Sequence, residues 1–297
     1  MRLANKIAIV TGAGRGIGHA IAVRFAQEGA DLALAARTGS QLEQTMAEIT
    51  AAGRKCLCFP VDITSASDVA TMTEAIIAQW GGIDVLVNNA GIQGPIGRAV
   101  DNDADKWAET IRVNLLGPFL CVKSVLPHMI AKRSGKIINL SGGGATAPRP
   151  YFSAYGASKA AVVRLTETLA EEVRDFCIDV NAIAPGAVNT NMLQETLDAG
   201  ELAGPELDAA RKRQHQGGIS ADLAASLAVF LASSASDGLS GKLISAQHDD
   251  WASWGPREIA ALMSSTRFTL RRIDDLAIQP FLPNHTIDEP TDIGAKA

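Results

Sequence analysis

Short apolar segments alternate with longer segments of helical periodicity through most of this 297-residue chain. The apolar segments are too hydrophobic for strands with one face in water. We therefore expect a parallel sheet with helices on both faces and right-handed crossovers between strands. The predicted strands lie in the segments KIAIVTG, DLALAA, KCLCFPV, IDVLVNN, GKIINLS, IDVNAIAPG and GKLISA. The alternation predicts a single doubly wound α/β domain with a parallel seven-stranded sheet.

Helices are expected between these strands, and the chain departs from the alternation in two places. The helical pattern covers residues 17–28, 41–52, 69–80, 107–130 and 157–174. Residues 189–218 are polar and contain Gly200, Gly204 and Pro205, so we expect a mobile lid there. The alternation ends after GKLISA, which divides the chain into a catalytic domain, 1–248, and an ordered C-terminal extension, 249–297. The extension is expected to close the pocket, to lie across a neighbouring subunit, or to do neither.

The composition argues against several classes of partner. The formal net charge is −5 and there is no run of Lys or Arg, so neither nucleic acid nor an anionic membrane surface is expected. The four cysteines lack zinc-ligand spacing and are expected to be buried free thiols, and the histidines are too scattered for a metal site. No export signal and no apolar segment near the roughly 18 residues of a membrane span is apparent, so we expect a cytoplasmic protein with a small-molecule ligand.

A glycine-rich turn follows the first predicted strand directly. The segment TGAGRGIG places Gly12, Gly14, Gly16 and Gly18 between that strand and the first helix. Glycines permit a tight turn and let backbone N–H groups approach a pyrophosphate, which the helix N-terminus stabilises. The alternative is a turn that only packs helix against strand, and it leaves the number of glycines unexplained. The turn predicts a Rossmann-type dinucleotide site.

The end of the second strand indicates which nicotinamide cofactor is used. An acidic residue there would bind both adenosine ribose hydroxyls and favour NAD, whereas this strand ends in Ala36 followed by Arg37. Without that carboxylate a 2′-phosphate is not repelled, and Arg37, with Arg15 as a second candidate, can pair with it. We therefore expect NADP(H) to be preferred over NAD(H). The alternative, an ordinary solvated Arg37, predicts equally efficient use of NADH.

Of only two tyrosines in the chain, Tyr155 has a lysine, Lys159, four residues later. On a helix this spacing puts both side chains on one face. A phenol titrates near pH 10, so proton transfer near neutrality requires a pKa lower by about two to three units. A fixed ammonium and the oxidised nicotinamide would favour the phenolate in this way. The alternative is a packed aromatic beside a solvated lysine, which the glycine turn upstream disfavours.

These motifs follow one another in a definite order. The glycine turn matches the pattern TGxxxGxG, and the later matches are Asp62, NNAG at 88–91, Asn114, Tyr155 with Lys159, and PGAVNT at 185–190. Over roughly residues 6–246 the chain resembles the short-chain dehydrogenase/reductase family. The resemblance implies hydride transfer between NADP(H) and a carbonyl or secondary alcohol of a small molecule, with Tyr155 as general acid and base.

The resemblance also implies roles for individual residues. Asp62 would accept a hydrogen bond from the adenine, Lys159 would bind the nicotinamide ribose, and Thr190 would contact the carboxamide. The expected cofactor-binding residues are Gly12, Gly14, Arg15, Gly16, Ile17, Gly18, Arg37, Thr38, Asp62, Ile63, Asn89, Ala90, Gly91, Tyr155, Lys159, Pro185, Gly186, Val188 and Thr190.

The remaining catalytic residues are a serine and an asparagine. The family's serine usually lies thirteen residues before the tyrosine, where this chain has Gly142, so a one-residue insertion would bring Ser141 into register. Thr146, Ser153 or backbone donors alone are the alternatives. Asn114 lies in an apolar helix, where the resemblance implies that it bends the helix and holds a water near the lysine. A buried asparagine bonded only to backbone is the bland alternative. The expected catalytic residues are Asn114, Ser141, Tyr155 and Lys159.

Two other functions stay open from the sequence. A nucleotide-sugar epimerase or dehydratase usually carries a large C-terminal substrate domain, which is not evident here. A non-catalytic NADPH-sensing protein would not need the Tyr155–Lys159 pair. The helices at 107–130 and 157–174 resemble those through which relatives associate, so a homodimer or homotetramer is expected, unless these faces pack only on the sheet.

Overall fold

The computed structural model describes residues 1–272, and a parallel β-sheet lies at its centre. In the described part of the chain the strands are β1 (Ile7–Thr11), β2 (Asp31–Ala36), β3 (Cys56–Pro60), β4 (Val85–Asn88), β5 (Gly135–Leu140), β6 (Ile178–Ala184) and β7 (Leu243–Ser245). They pair in the order β3-β2-β1-β4-β5-β6-β7, and every neighbouring pair is parallel. The predicted doubly wound fold with seven strands is confirmed. The strand order reverses beside β1, which is where an open α/β sheet binds ligands.

Helices cover both faces of the sheet. They are α1 (Gly16–Gln27), α2 (Gly39–Ala51), α3 (Ala66–Trp80), α4 (Ala104–Ile111), α5 (Gly117–Lys132), α6 (Ser153–Glu172), α7 (Asn191–Asp198), α8 (Glu206–Gln216), α9 (Ala221–Ala232) and α10 (Pro256–Met263). Several begin earlier than the apolar periodicity indicated, because their first turns are polar. In α3, for example, the Ser65 side chain accepts a hydrogen bond from the Asp68 N–H and caps the helix.

The helix predicted at 107–130 is interrupted. A π-helical turn, Arg112–Leu116, separates α4 from α5, so the prediction of one continuous helix over 107–130 was wrong, whereas the bend that the resemblance implied at Asn114 lies within this turn. The expectation that no segment approaches the length of a membrane span was also wrong, because Ala104–Lys132 contains an 18-residue window with a mean hydropathy of 1.4. In the fold, Cys121, Val125 and Met129 of α5 are buried against the sheet, and burial of this kind gives core helices the same composition.

Two hydrophobic layers form the core, one on each face of the sheet. On one face Phe25 of α1 and Leu227 of α9 pack on the strands, and on the other face Ile76 of α3 and Val122 of α5 do so. Each of these side chains is fully or almost fully buried. Because both faces are covered, only the ends and edges of the strands remain accessible to a ligand.

The alternation of strands and helices is interrupted between β6 and β7, as the sequence indicated, because residues 189–218 form two further helices before α9. Helices α7 and α8 are joined by a 3₁₀ turn, Gly200–Ala203, and we call residues 191–216 the lid. Met192, Leu197 and Leu207 of the lid pack in one cluster with Phe152. These apolar residues are spread over two short helices, which is why their periodicity is weak in the sequence. The expected mobility of this segment stays a prediction.

The C-terminal extension packs on the edge of the sheet as far as it is described. It contains a 3₁₀ turn, Trp251–Ser253, and helix α10. The N–H of Leu243 in β7 donates to the Phe268 carbonyl at 2.8 Å, and Leu270 joins a small cluster with Ala145 and Val163. The described part of the extension therefore lies against β7 and α6, and the rest of it lies outside the described residues.

The cysteines only partly match the expectation of buried thiols. Cys121 in α5 is buried, and burial raises the pKa of its thiol to about 12. Cys56 and Cys58 lie on β3, which is an edge strand of the sheet, and are only partly buried. Cys177 is exposed in a left-handed turn at φ 54°. The prediction was wrong for these three: an apolar sequence does not distinguish an edge strand from a central one at Cys56 and Cys58, and Cys177 lies in a turn before β6.

Candidate active site

A cavity of about 430 Å³ lies at the carboxyl ends of the strands, beside the point where their order reverses. It brings together residues that are far apart in the sequence. Of the expected site residues it is lined by Gly12, Gly14, Arg15, Gly16, Ile17, Arg37, Thr38, Asp62, Ile63, Asn89, Ala90, Gly91, Ser141, Tyr155, Lys159, Pro185 and Thr190. The expected residues Gly18, Asn114, Gly186 and Val188 are not in this lining, and each instead supports a part of the wall.

The glycine turn between β1 and α1 forms one end of the cavity. Gly12 and Gly16 have φ values of 64° and 57°, which favour glycine. A Cβ at Gly12 would lie 2.9 Å from the Ala90 Cα, and a Cβ at Gly18 would lie 2.3 Å from the Gly12 carbonyl oxygen. The N-cap residue Arg15 makes no side-chain cap, which leaves the first N–H groups of α1 available to a phosphate. The residues present therefore fit a dinucleotide pyrophosphate.

Thr11, the last residue of β1, fixes this turn to the next strand. Its buried hydroxyl accepts hydrogen bonds from the N–H groups of Asn89 at 3.0 Å and Ala90 at 3.1 Å. The Asn89 amide donates to the carbonyls of Thr11 at 2.9 Å and Gly12 at 3.2 Å. In this structure the Asn89 side chain is therefore used to support the glycine turn. The resemblance implied that Asn89 binds the cofactor, with Ala90 and Gly91, beside the adenosine and its ribose.

The end of β2 lacks an acidic residue, as the sequence indicated. Ala36, Arg37 and Thr38 line the cavity, and Asp62 follows β3 on the same side. The Asp62 carboxylate accepts hydrogen bonds from the N–H and the hydroxyl of Thr64, both at 2.9 Å. These bonds, aided by the positive charge of Arg37, hold the pKa of Asp62 below its usual range. A cation and an anion thus stand beside each other where the adenosine end of a dinucleotide would lie.

Lys159 reaches the cavity from α6 through a fully buried side chain. Its ammonium donates to the Leu140 carbonyl at 2.8 Å, and burial lowers its pKa from 10.5 to about 8. Asn114, in the π-helical turn, donates to the Ile92 carbonyl at 2.8 Å and to the Ser158 hydroxyl at 3.0 Å. The Asn114 side-chain oxygen accepts from the Ile92 N–H at 2.8 Å. The asparagine therefore ties three segments together one layer behind the lysine.

The environment of Tyr155 differs from the one expected. Burial raises the pKa of its phenol, the charge of Arg149 opposes that effect, and the charge of Glu206 adds to it. Lys159 is near the ring, with its ammonium 5.6 Å from the ring centroid. The expectation that Lys159 lowers the pKa of Tyr155 is not met in the chain without cofactor. The reason is that burial removes water from the phenol, which raises its pKa by more than the charge of Arg149 lowers it.

Ser141 directly follows β5 and faces the same cavity as Tyr155. Within residues 1–272 its buried hydroxyl has no hydrogen-bond partner. The next residue touches the tyrosine, because a Cβ at Gly142 would lie 2.4 Å from the Tyr155 hydroxyl. Of the alternatives, Thr146 is exposed, and the Ser153 hydroxyl accepts from the Trp107 indole N–H at 3.2 Å. The geometry therefore favours Ser141 over the two side chains considered instead.

The segment from Pro185 to Thr190 closes the cavity beside the glycine turn. Gly186 has φ 82°, and a Cβ there would lie 2.6 Å from the Ile219 side chain. Val188 pairs with Ile219 in a parallel bridge, so both expected residues shape the loop from behind. A Cβ at Gly16 would lie 3.4 Å from the Thr190 methyl group, which shows how closely the two loops approach.

A larger cavity, of about 720 Å³, lies at the amino ends of the strands, opposite the carboxyl ends. It is lined by ion pairs such as Lys136 with Asp179 at 2.6 Å and with Asp237 at 2.7 Å. None of the expected catalytic residues is in its lining. The smaller cavity is therefore the candidate active site, because it combines the glycine turn with the tyrosine and the lysine.

Comparison with known proteins agrees with this geometry. A family model described as short chain dehydrogenase matches residues 6–200. The chain belongs to the short-chain dehydrogenase/reductase family. It is 38% identical over 200 residues to a 3-oxoacyl-(acyl-carrier-protein) reductase of Staphylococcus epidermidis, covering 65% of this chain and 80% of that protein. It is 36% identical over 188 residues to 2,3-dihydro-2,3-dihydroxybenzoate dehydrogenase of Bacillus subtilis, covering 63% and 72%.

A solved structure gives the same result for the fold. The structure of NAD⁺-bound xylitol dehydrogenase superimposes with a TM-score of 0.77 at 29% identity, covering 82% of this chain and 98% of that one. The recognised family is thus confirmed, and the chain is an oxidoreductase of the dehydrogenase/reductase type. The match of the family model ends at residue 200, so the end of the lid and the extension lie beyond it.

Four residues that were not expected as site residues lie at or beside the cavity. Thr11 was noted as part of the TGxxxGxG pattern, and that pattern was the signal for its role. Ser158 bonds to Asn114 and to the Tyr155 carbonyl, at 3.0 and 2.7 Å, and no sequence signal distinguishes it. Gln41 and Glu195 also line the cavity from α2 and the lid.

Proposed function

We propose that this chain is an NADP(H)-dependent enzyme that interconverts a carbonyl group and a secondary alcohol in a small molecule. The observation that carries the proposal is the convergence of Ser141, Tyr155 and Lys159 on the cavity that also contains the glycine turn. Each comes from a different structural position: the end of β5, the first turn of α6, and the second turn of α6. A cavity that joins a phosphate cradle to a proton donor supports redox chemistry at a carbonyl carbon.

In this proposal the chain's own residues handle the proton and the oxygen. NADPH, when bound, supplies the hydride. Tyr155 donates its phenolic proton to the carbonyl oxygen during reduction and takes it back during oxidation. The Ser141 hydroxyl, which lacks a partner within the protein, donates a hydrogen bond to the same oxygen and stabilises its developing negative charge. The lid excludes water, which strengthens both interactions.

Lys159 would act in two ways on the nucleotide side of the cavity. Its ammonium is fixed by the Leu140 carbonyl, so it can hold ribose hydroxyls in a defined place. Its lowered pKa, about 8, means that it is charged at neutral pH and loses the proton in mildly alkaline solution. Asn114 and Ser158 position α6 relative to the loop after β4, and through it the lysine. We assign Asn114 this positioning role.

The preference for NADP(H) is part of the proposal. It is supported by the end of β2, where the last residue is Ala36 in place of an acidic one and Arg37 follows. A 2′-phosphate there would meet a guanidinium and would not be repelled by a carboxylate from the end of this strand. One relative's structure contains NAD⁺, so the family as a whole does not decide the question. The test is the ratio of kcat/KM for NADPH over NADH, in the wild type and in Arg37→Gln. A ratio near one in the wild type would refute the preference.

The catalytic proposal is tested with Tyr155→Phe and a panel of ketones and secondary alcohols. We expect the wild type to reduce at least one ketone with NADPH, and the variant to lose at least about 10³-fold in kcat while binding NADPH normally. A wild type that binds NADPH and turns over no carbonyl compound would favour a sensing role. A wild type that isomerises or dehydrates nucleotide sugars without net redox change would favour the epimerase alternative.

Three further properties belong to the proposal. Residues 1–248 form the catalytic domain and 249–297 an extension, the protein acts in the cytoplasm, and it forms homodimers or homotetramers. The oligomer is supported by two exposed apolar side chains, Leu116 at the end of the π-helical turn and Phe119 in the first turn of α5. Light scattering of the wild type and of Phe119→Asp tests it, and a monomeric wild type would refute it.

A further inference from the structure

An apolar cluster packs against Tyr155 beside the cofactor cavity. Tyr155 packs in one cluster with Phe152, Ala203 and Leu207, and the partly buried residues around this cluster are Ile96, Tyr151, Met192, Leu197 and Ala199. The lid contributes about half of these side chains. Met192 of this cluster also lines the cofactor cavity, so this apolar surface borders the space from which a substrate reaches Tyr155.

One cation, Arg149, lies within this apolar surface. Its guanidinium is 4.0 Å from the centroid of the Phe152 ring and 5.1 Å from that of Tyr155. The aliphatic part of the Arg149 side chain lies against Gly143 and Gly144. These two residues directly follow Gly142, where an added Cβ would clash with the Tyr155 hydroxyl. Only 16% of the Arg149 side chain is exposed, so its charge is screened weakly by water.

Glu206, at the first residue of α8 in the lid, pairs with this arginine through both carboxylate oxygens. The Arg149 Nε to Glu206 Oε1 distance and the Arg149 Nη2 to Glu206 Oε2 distance are both 2.6 Å, and the glutamate side chain is 29% exposed. Such a bidentate pair cancels most of the field of the guanidinium at the tyrosine. The charged groups that face Tyr155 are then Lys159 on the cofactor side and the Arg149–Glu206 pair on the lid side.

We propose that Glu206 is a specificity-determining residue, which neutralises Arg149 and so makes the site select uncharged carbonyl substrates over carboxylate-bearing ones. This inference rests on the proposed function, because it concerns the substrate of that same site. In the part of the chain that the structure describes, the side chains of this cluster are mostly apolar, and the Arg149 guanidinium already has its carboxylate, so an anion gains little there. A substrate carboxylate would have to displace Glu206 or be buried without a partner.

The test compares a matched pair of substrates, ethyl 3-oxobutanoate and 3-oxobutanoate, reduced with NADPH. In Glu206→Gln the ratio of kcat/KM for the acid over the ester should rise about tenfold, since an unpaired guanidinium about 5 Å from the tyrosine attracts the carboxylate. In Arg149→Gln the ratio should fall, because Glu206 is then an unpaired anion beside the site. The matched control is Asp208→Asn, which removes an exposed carboxylate from the same helix and should leave the ratio unchanged.

A second readout does not depend on turnover. Calorimetry with the NADP⁺-loaded protein should show that Glu206→Gln raises the affinity for benzoate relative to benzamide by a similar factor. An unchanged ratio in Glu206→Gln, or equal shifts in Glu206→Gln and Asp208→Asn, would overturn the inference. If no ketone is reduced by any form of the protein, the proposed function fails, and the benzoate-to-benzamide ratio still decides whether Glu206 excludes anions.

Discussion

Substitution of Gly142 by alanine is a direct test of the active-site geometry. The added Cβ would lie 2.4 Å from the Tyr155 hydroxyl oxygen, 3.1 Å from Cζ and 3.2 Å from Cε1. Ordinary contacts of this kind are about 3.5 Å, so the phenol must move by about 1 Å. A displacement of that size costs about 100-fold in the rate of a positioned reaction. We expect kcat for ketone reduction to fall by about 100-fold, while the Kd for NADPH, which depends on the opposite side of the cavity, stays within a factor of about three.

The next residue along the chain supplies the control for this substitution. A Cβ at Gly143 would meet only the side chain of Arg149, at 3.8 Å, which is normal van der Waals contact. Neither glycine has a positive φ, so alanine is compatible with the backbone at both. The assay is steady-state reduction of a ketone with NADPH, alongside thermal unfolding of each variant. If Gly142→Ala retained wild-type kcat, or if Gly143→Ala lost as much, the placement of Tyr155 against this loop would be wrong.

Three other predictions use the same assays. Ser141→Ala should lose about 100-fold in kcat with little change in NADPH binding, as expected for one oxyanion donor, and full retained turnover would assign the role elsewhere. Arg37→Gln should raise KM for NADPH while leaving KM for NADH nearly unchanged; a parallel rise in both would indicate a general defect. Lys159→Met should be inactive but, in urea unfolding at pH 7, more stable than the wild type by about 3 kcal/mol, the cost of a pKa lowered by about 2.5 units. In the wild type the pKa of Lys159 is 10.5 in the unfolded chain and about 8 in the folded protein, so folding bears the full cost of charging this lysine below pH 8 and none of it above pH 10.5. A difference in unfolding free energy between variant and wild type that stayed constant from pH 7 to 10.5 would contradict this.

The parts of the site that depend on local spacing could be predicted from the sequence. The glycine turn is specified by its place between a buried strand and a helix, and Tyr155 and Lys159 by a spacing of four residues on a helix. The structure brings these three features into one cavity. Their relative position follows from the parallel sheet, because the carboxyl ends of its strands all lie at the same edge.

Other parts depend on contacts between distant segments, which a single sequence does not show. The register of Ser141 relative to Tyr155 is set by how the loop from 142 to 152 folds over α6. The pKa of the tyrosine is set by burial under a lid whose helices were not predicted. Arg149 and Glu206 are 57 residues apart, and neither lies in a recognisable motif. Burial and long-range ion pairs therefore had to be read from the structure.

The contact between β7 and the C-terminal extension has a consequence for how the protein is made. A free strand edge offers unpaired N–H and carbonyl groups to any other extended chain. Here Leu243 on the outer edge of β7 is paired with Phe268, and the buried Lys242 ammonium donates to the carbonyls of Ser265 and Arg267 at 2.9 and 3.1 Å. Those partners are synthesised more than twenty residues after β7. During translation the β7 edge of the sheet is therefore open until the ribosome has released residue 268, and in that interval β7 can pair with another extended chain.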